Sequence, residues 1–182
     1  SGNLWIMTTL TFLGGAETVT GSKHLLQFHD TRIMIDCGLF QGMKNLRTQN
    51  WQPLPVDARQ IDAVVLTHGH LDHCGYLPRL VQDGFSGRVF ASAATCDMAA
   101  MILRDSAQLQ LRDAELANQM GFSKHSPALP LYGPRDAERA ISALHAIDLH
   151  RPVALPGGAS VTLRRAGHVI GATSATVDID GL

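Results

Sequence analysis

The stretch Thr67-His68-Gly69-His70-Leu71-Asp72-His73 is the most informative part of this chain, because it places three histidines and one aspartate within six consecutive positions. The apolar run Ala63-Val64-Val65-Leu66 comes directly before it. A short, β-branched and unbroken run, here Ile61 to Leu66, predicts a buried strand rather than a helix. The polar cluster therefore begins where a strand ends.

The spacing of the cluster predicts that its side chains reach one point from two elements, the end of a strand and the start of a helix. In an extended backbone His68 and His70 point to the same side, and Gly69 lets the chain bend between them without a Cβ clash. Asp72 is a typical residue for a helix start. A helix running to about Gln82 is predicted by the apolar positions that follow, which are Leu71, Leu77, Leu80 and Val81. Asp72 and His73 would then face the centre from the helix.

Neutral imidazole and carboxylate are ligands that zinc and iron accept. Two such ions about 4 Å apart can lower the pKa of a shared water toward 7. The alternative is that Asp72 only caps the helix and that the histidines belong to a polar surface turn. Four ligand-type residues at this spacing favour a metal centre.

Several segments resemble one known family. The pattern His68-x-His70-x-Asp72-His73 after a hydrophobic strand is similar to the signature of the metallo-β-lactamase superfamily. The stretch from Phe12 to Ser22, followed by Ile33-Met34-Ile35-Asp36-Cys37-Gly38, resembles the opening of its β-CASP branch. Later segments that fit the same branch are Asp105-Ser106-Ala107, Gly121-Phe122-Ser123-Lys124-His125, Pro130-Leu131-Tyr132 and Ala166-Gly167-His168-Val169-Ile170-Gly171-Ala172. The likeness extends over nearly the whole chain from Thr8.

This resemblance implies a fold and an activity. The fold is α/β, a four-layer αββα sandwich with mixed sheets, here incomplete at its C-terminal end. Residues 8–182 would be the N-terminal part of that domain, with the β-CASP domain absent, while residues 1–7 would be an expression remnant and a start at Met7. The branch contains RNA endonucleases and exonucleases and some DNA-repair nucleases. The implied reaction is therefore metal-dependent cleavage of a phosphodiester bond, with RNA as the expected substrate.

The resemblance also assigns roles to residues. His68, His70 and His168 would bind a first metal ion, and Asp72 and His73 a second. Asp36 would not bind an ion itself. It would orient the metal ligands by hydrogen bonding, as carboxylates outside the ligand set do. Asp72, His73 and Asp36 are the implied catalytic residues, with Asp72 orienting the attacking water and able to take its proton. Without the resemblance, His168 would be interpreted as a hydrogen-bonded loop residue and Asp36 as a turn aspartate.

The sequence also departs from the family pattern. The family has a bridging aspartate in a Gly-Asp step and a final histidine in the second metal site, and neither is present. Asp178 and Asp180 are poor substitutes, and Asp180-Gly181 is typical of a hairpin turn. We therefore expect a truncated form that could be inactive alone. A homodimer or a complementary C-terminal part are the partners that would complete it.

The amino-acid composition limits the core size, the binding partners and the cellular compartment that can be expected. A hydrophobic content of 45% in 182 residues is enough for one substantial core. A net charge of −1 gives no general attraction to nucleic acid, so the RNA hypothesis rests on the resemblance. Cys37, Cys74 and Cys96 have no metal or disulfide spacing, which indicates a reducing cytoplasm. No apolar run approaches the roughly 20 residues of a membrane span, so no membrane partner is expected.

The hydrophobic periodicity predicts strands and helices along the chain. Expected strands are Thr9 to Leu13, Leu25 to Phe28, Arg32 to Ile35, Ile61 to Leu66, Arg88 to Ala91, Ser160 to Arg165 and Ser174 to Ile179. A helix from about Ala94 to Met120 should bury the face that carries Met98, Ile102, Leu109, Leu116 and Met120. A second helix should run from Pro134 to about Ala146. Two loops are candidates for contact with substrate: Gly14 to Gly21, and Gly121 to Gly133 with Lys124 and His125.

Two other classes of function stay open at this point. One is a hydrolase of the same superfamily that acts on a small ester, lactone or thioester. The other is a non-catalytic fragment that works with a partner chain. A redox di-iron protein is disfavoured because that branch of the superfamily usually carries glutamate at the position of His70. Zinc is the expected metal, with two ions in the complete enzyme, and iron and manganese are alternatives.

Overall fold

The structure, a computed structural model, describes residues 7–121 and 126–179. The strands are β1 (Thr9–Gly14), β2 (Lys23–Phe28), β3 (Thr31–Ile35), β4 (Ala63–Val65), β5 (Arg88–Ala91), β6 (Leu144–Ala146), β7 (Pro152–Ala154), β8 (Ser160–Arg165) and β9 (Thr173–Asp178). The α-helices are α1 (Lys44–Gln49), α2 (Leu71–Cys74), α3 (Leu77–Gln82), α4 (Ala93–Met120) and α5 (Pro134–Ser142). Two short 3₁₀ turns are Ala58–Gln60 and Pro156–Gly158.

The strands form two sheets, a larger mixed one and a smaller antiparallel one. The larger sheet has the order β1-β2-β3-β4-β5-β6, antiparallel from β1 to β3 and parallel from β3 to β6. The smaller sheet is antiparallel in the order β7-β8-β9. Parallel strands in the middle of a sheet are covered on both faces, which accounts for the unbroken apolar run at β4.

The alternation of side chains along the central strands separates two hydrophobic cores. Met34 and Val64 point toward the helices α3, α4 and α5, where they pack with Leu77, Leu80 and Leu103. Their neighbours Ile33 and Val65 point to the opposite face, where they pack against Val161 and Leu163 of β8. A strand with a side-chain period of two supplies both cores at once. The larger sheet is therefore the middle layer that positions everything else.

The predicted α/β sandwich with mixed sheets is confirmed, and the described residues form three of its four expected layers. Helices cover one face of the larger sheet, and the smaller sheet covers the other. On the outer face of β9, Ser174, Thr176 and Asp178 are exposed. No helix in the described ranges packs on that face. The fourth layer thus remains a prediction.

The helix predicted from Asp72 to Gln82 is wrong as a single element, because it is divided into α2 and α3. Its first carbonyl groups bond to other segments: the Asp72 oxygen accepts from the Ser22 amide at 2.9 Å, and the His73 oxygen accepts from the Cys37 amide at 2.7 Å. The Tyr76 amide correspondingly donates to the Cys37 oxygen at 2.9 Å. An α-helix cannot continue where its carbonyls are taken by other partners.

The predicted helix from Pro134 to Ala146 is too long, since α5 ends at Ser142 and β6 follows. The Val89 amide donates to the Ala143 oxygen at 2.9 Å, which starts the parallel pairing of Leu144 with Val89. Sheet pairing therefore overrides the helical periodicity of this segment. Strands β6 and β7 were not predicted, because three residues are too few to show a period.

Helix α4 has the predicted extent but buries a different face. Ser92 caps its first turn, and Gly121 ends it with a left-handed φ of 65°. The buried positions are mainly small residues, namely Thr95, Ala99, Leu103, Ser106, Ala107, Ala114 and Ala117. The predicted core face is wrong for Leu109, Leu116 and Met120, which are exposed. Close packing of the helix on the core favours small side chains at these positions. The prediction is partly right for Met98 and Ile102, which are half-buried, and Ile102 packs against the core.

Some sequence predictions lie outside the described residues. These are the interpretation of residues 1–6, the phosphate contacts of Lys124 and His125, and the turn at Asp180-Gly181. Across the described ranges, none of the helices combines the length and the apolar character that a bilayer crossing requires.

Gly38 lies where three loops meet, and we predict that Gly38→Ala destabilises the fold. A Cβ atom at Gly38 would coincide with the carbonyl oxygen of Asp72. We expect the free energy of unfolding to fall by about 2–4 kcal/mol, as for other substitutions that force backbone apart. Urea denaturation measures this. Gly133→Ala is the matched control, because nothing lies within 4 Å of its added Cβ. Equal stability of the two variants would contradict the packing described here.

Candidate metal centre

Three of the predicted ligands converge at the end of the larger sheet. One ligand atom from each of His68, His70 and His168 lies within 4.8 Å of the others. His168 Nε2 is 3.2 Å from His70 Nδ1. His68 Nε2 is buried and has no hydrogen-bond partner. A tetrahedral zinc ion holds neighbouring ligand nitrogens about 3.3 Å apart, given Zn–N bonds of about 2.0–2.1 Å. The trio therefore fits a single metal ion.

The local sequence explains how His68 and His70 reach this position. Strand β4 ends at Val65, and the Leu66 amide still donates to the Phe90 oxygen at 2.9 Å, so the chain leaves the sheet in extended form. His70 is the N-cap residue of α2, with an extended backbone at φ −67° and ψ 151°. Between the two histidines, the Cα of Gly69 faces Met98 of α4, and an added Cβ would lie 2.8 Å from the Met98 side chain. Glycine is thus required here by close packing.

Asp36 holds the second group of predicted site residues together. Its side chain is almost fully buried, and its Oδ2 accepts a hydrogen bond from His73 Nδ1 at 2.7 Å. That bond fixes the His73 ring with Nε2 directed away from Asp36. His73 Nε2 lies 3.7 Å from Asp72 Oδ2, so the two atoms could bind one ion. The position of Asp36 behind His73 is the one predicted for an orienting carboxylate.

Thr67 connects Asp36 to His68, one of the three converging histidines. This role was not identified from the sequence. The Thr67 hydroxyl donates to Asp36 Oδ2 at 2.8 Å, and its oxygen lies 3.0 Å from His68 Nδ1. Because the hydroxyl proton points to the carboxylate, the hydroxyl oxygen accepts the proton of His68 Nδ1. His68 Nε2 then carries a free lone pair. One buried carboxylate thereby sets the tautomer of both His73 and His68.

The loop that carries His168 is fixed from two sides. The Gly171 carbonyl accepts hydrogen bonds from Ser92 Oγ at 2.7 Å and Thr95 Oγ1 at 2.8 Å, both at the start of α4. On the other side, the Thr173 amide donates to the Thr67 oxygen at 2.9 Å. Gly171 has a φ of 84°, which favours glycine. The loop is therefore held by residues that sequence reasoning did not select, although Ser92 is recognisable as a helix cap.

The electrostatic environment favours the neutral form of the His68 imidazole. Burial and the neighbouring His73 lower the pKa of His68 to about 4, so this ring is neutral and able to bind a metal at pH 7. Burial alone would lower the pKa of His73, but the hydrogen bond and the charge of Asp36 raise it above its ordinary value. In the part of the chain that the structure describes, Asp72 and His73 have no third ligand beside them.

The residues of this candidate site lie in a region that matches a known protein family. The family described as the beta-lactamase superfamily domain matches residues 31–172, which include all six predicted site residues. The chain belongs to the β-lactamase superfamily. The resemblance to this superfamily, on which the sequence interpretation rested, is thereby confirmed.

Two curated relatives of this chain are named a ribonuclease and a transcription termination factor. It is 35% identical over 168 residues to Ribonuclease TTHA0252 of Thermus thermophilus, covering 92% of this chain and 34% of that protein. It is 31% identical over 178 residues to Transcription termination factor FttA of Methanocaldococcus jannaschii, covering 98% of this chain and 26% of the relative. The chain thus spans about a third or less of the length of these relatives.

A solved structure with the same fold is the metallo-β-lactamase with a HARLDQ motif from Cronobacter sakazakii. The TM-score is 0.57 at 24% sequence identity, with 93% of this chain and 55% of that chain covered. At this identity the likeness establishes the fold alone. The predicted metallo-β-lactamase fold class is confirmed.

We predict that Thr67→Val weakens metal binding while Thr67→Ser does not. Valine keeps the shape of threonine but removes the hydroxyl that orients His68 and partly satisfies Asp36. Loss of such an outer contact typically lowers metal affinity by roughly 10- to 100-fold. Competition between the protein and a chelator for zinc measures the affinity. Equal affinities of the valine variant and the native chain would show that Thr67 does not position His68.

Proposed function

We propose that this chain carries the metal centre of a hydrolase that cleaves phosphodiester bonds in RNA, with zinc as the working metal. The convergence of His68, His70 and His168 on one point is the observation that carries the proposal. The identity of 35% to a protein named a ribonuclease supports RNA as the substrate. The β-CASP-like segments from Asp105 to Tyr132 favour RNA as the substrate over a small ester or thioester.

Each site residue has a task that its surroundings allow. His68, His70 and His168 would hold the first ion through three neutral nitrogens, a set that leaves a coordination position open. Asp72 and His73 would hold the second. When bound, the ions supply an activated water and neutralise charge on the phosphoryl oxygens. Asp72 is only partly buried, so it can orient the attacking water and take its proton.

Zinc is proposed over iron or manganese because of the donor set. Three imidazole nitrogens form a common catalytic zinc site, whereas manganese favours carboxylate and carbonyl oxygens. Imidazole also suits iron, so metal identity needs a direct measurement. The second ion has two donors among the described residues, and we propose that further donors come from a longer parent chain or from a partner chain.

The state of the cysteines supports a location in the cytoplasm. Cys37, Cys74 and Cys96 are all free thiols, and the first two are buried. Burial raises the pKa of the Cys37 thiol to about 12, so it acts as a small apolar residue. Free thiols of this kind are typical of reducing compartments.

Asp72→Asn tests the proposed reaction. The amide keeps the shape of the carboxylate but cannot take a proton and is a poorer metal ligand. In the zinc-loaded enzyme we expect cleavage of a labelled RNA to fall at least roughly 100-fold, as for loss of a general base. The thermal unfolding temperature should not change. Asp97→Asn, on the exposed side of α4, is the matched control and should keep full activity.

Two outcomes would argue against the proposal. Unchanged RNA cleavage by the Asp72→Asn variant would remove Asp72 from the reaction. Turnover of lactone or thioester substrates by the native enzyme, without any RNA cleavage, would favour the small-ester hydrolase.

A further inference from the structure

Helix α4 carries a row of large apolar side chains along the edge of its buried face, and three of them are exposed. We define the α4 stripe as Met98, Ile102, Leu109, Leu116 and Met120. The exposed fractions are 47% for Leu109, 49% for Leu116 and 67% for Met120. Met98 and Ile102 are half-buried at the end nearer the metal centre. With a rise of 1.5 Å per residue, the stripe extends over about 33 Å. A row of large apolar side chains that are exposed in this way is typical of an interaction site.

The spacing of the stripe is symmetric about Leu109. Successive members are separated by four, seven, seven and four residues. If a second α4 lies antiparallel with a two-fold axis at Leu109, each apolar residue meets an apolar residue. Ile102 then lies opposite Leu116 of the second copy, Met98 opposite its Met120, and Leu109 opposite its Leu109. A two-fold interface requires this self-complementarity.

Charged residues beside the stripe are complementary in the same arrangement. Asp105 and Arg112 are exposed, and neither forms an ion pair with another residue in the described ranges. At about 100° per residue, both lie on the same edge of the stripe. The two-fold axis at Leu109 brings Asp105 to within about one residue of Arg112 of the second copy along the helix axis. Two symmetric ion pairs would thus flank the central leucines.

A groove next to the stripe can receive a side chain from the second copy. It has a volume of about 510 Å³ and lies between Leu71 and α4, where Met101, Ile102 and Leu109 contribute to its lining. Leu116 of the second copy lies opposite Ile102 and can therefore enter this groove. The groove begins at Leu71, the residue directly after His70.

From these observations we infer that two copies of this chain associate through antiparallel pairing of their α4 helices, centred on Leu109. The interface is a narrow helix pair, smaller than the roughly 800 Å² per partner of a standard stable complex. The dimer is therefore concentration-dependent. The inference is independent of the proposed reaction, because none of the stripe residues is a metal ligand.

Sedimentation velocity over a range of concentrations tests the association. The native chain should pass from monomer to dimer, and Leu109→Asp should weaken the dimer by more than roughly 100-fold, because it places two carboxylates at the axis. Leu129→Asp is the matched control: Leu129 is 66% exposed outside α4, and its substitution should leave the dimer unchanged. A native chain that stays monomeric would overturn the inference, as would a dimer that Leu109→Asp does not affect.

Charge exchange tests the register of the pair. Asp105→Arg and Arg112→Asp should each weaken the dimer by roughly tenfold, since each places like charges side by side. The double variant restores opposite charges and should recover the native affinity. Failure of the double variant to recover would overturn the proposed register.

Disulfide cross-linking tests the antiparallel direction. In a Cys96→Ser background, Leu109→Cys should form a covalent dimer on mild oxidation, because the two positions meet at the axis. Leu116→Cys should not, since its two copies would be about 21 Å apart at 1.5 Å per residue. A dimer cross-linked equally well at both positions indicates a parallel pair and overturns the proposal. If neither position cross-links, the two Leu109 positions do not meet, and the proposal is overturned.

Discussion

The buried carboxylate of Asp36 is the interaction on which the site depends. It lies at the end of β3 with a left-handed φ of 58° and receives hydrogen bonds from the Thr67 amide, the Thr67 hydroxyl and His73 Nδ1. A buried charge is stable only when it is fully hydrogen-bonded, so Asp36 requires these three donors in place. Through them it joins the ends of β3 and β4 to the start of α2. His68 and His73, the two histidines that it orients, each keep Nε2 free to bind a metal ion.

The backbone around this carboxylate explains why a four-residue helix can be rigid. Short helices are unstable alone, and α2 has only one full turn. Its carbonyl groups instead accept amides from the loops that follow β1 and β3, and the Leu39 amide adds a bond to the Leu71 oxygen at 3.0 Å. Asp72 and His73 are therefore held by contacts with these loops in addition to the helical hydrogen bonds of α2. Gly38 permits this contact because it has no side chain.

The sequence was sufficient to predict the residues that are close together along the chain. The ligand cluster from His68 to His73 follows a strand in the structure, as its spacing indicated, and the resemblance identified His168 and Asp36. Contacts between distant segments were not predictable in this way. The hydroxyls of Thr67, Ser92 and Thr95 gain their roles only when β4, α4 and the loop before β9 meet. A lone threonine or serine gives no signal of such a contact in one sequence.

The face of α4 shows why periodicity alone misleads. Its large apolar residues recur at spacings of four and seven, which is the pattern of a buried face. The core, however, is already filled by Leu77 and Leu80 of α3, and apart from Leu103 the buried residues of α4 are small. The apolar period therefore continues from half-buried residues, Met98 and Ile102, to exposed ones, and small residues mark the buried side. The two cannot be distinguished without knowing how close the helix lies to the sheet.

The central claim is that His68, His70 and His168 form a metal site in this chain. The most direct test is elemental analysis of the protein purified without chelator, beside His168→Ala and the control His145→Ala, which changes an exposed histidine outside the site. The account predicts at least one zinc ion per chain in the native protein and the control, with the first ion lost from the His168 variant. Absence of metal from the native chain, or equal metal in all three proteins, would contradict it.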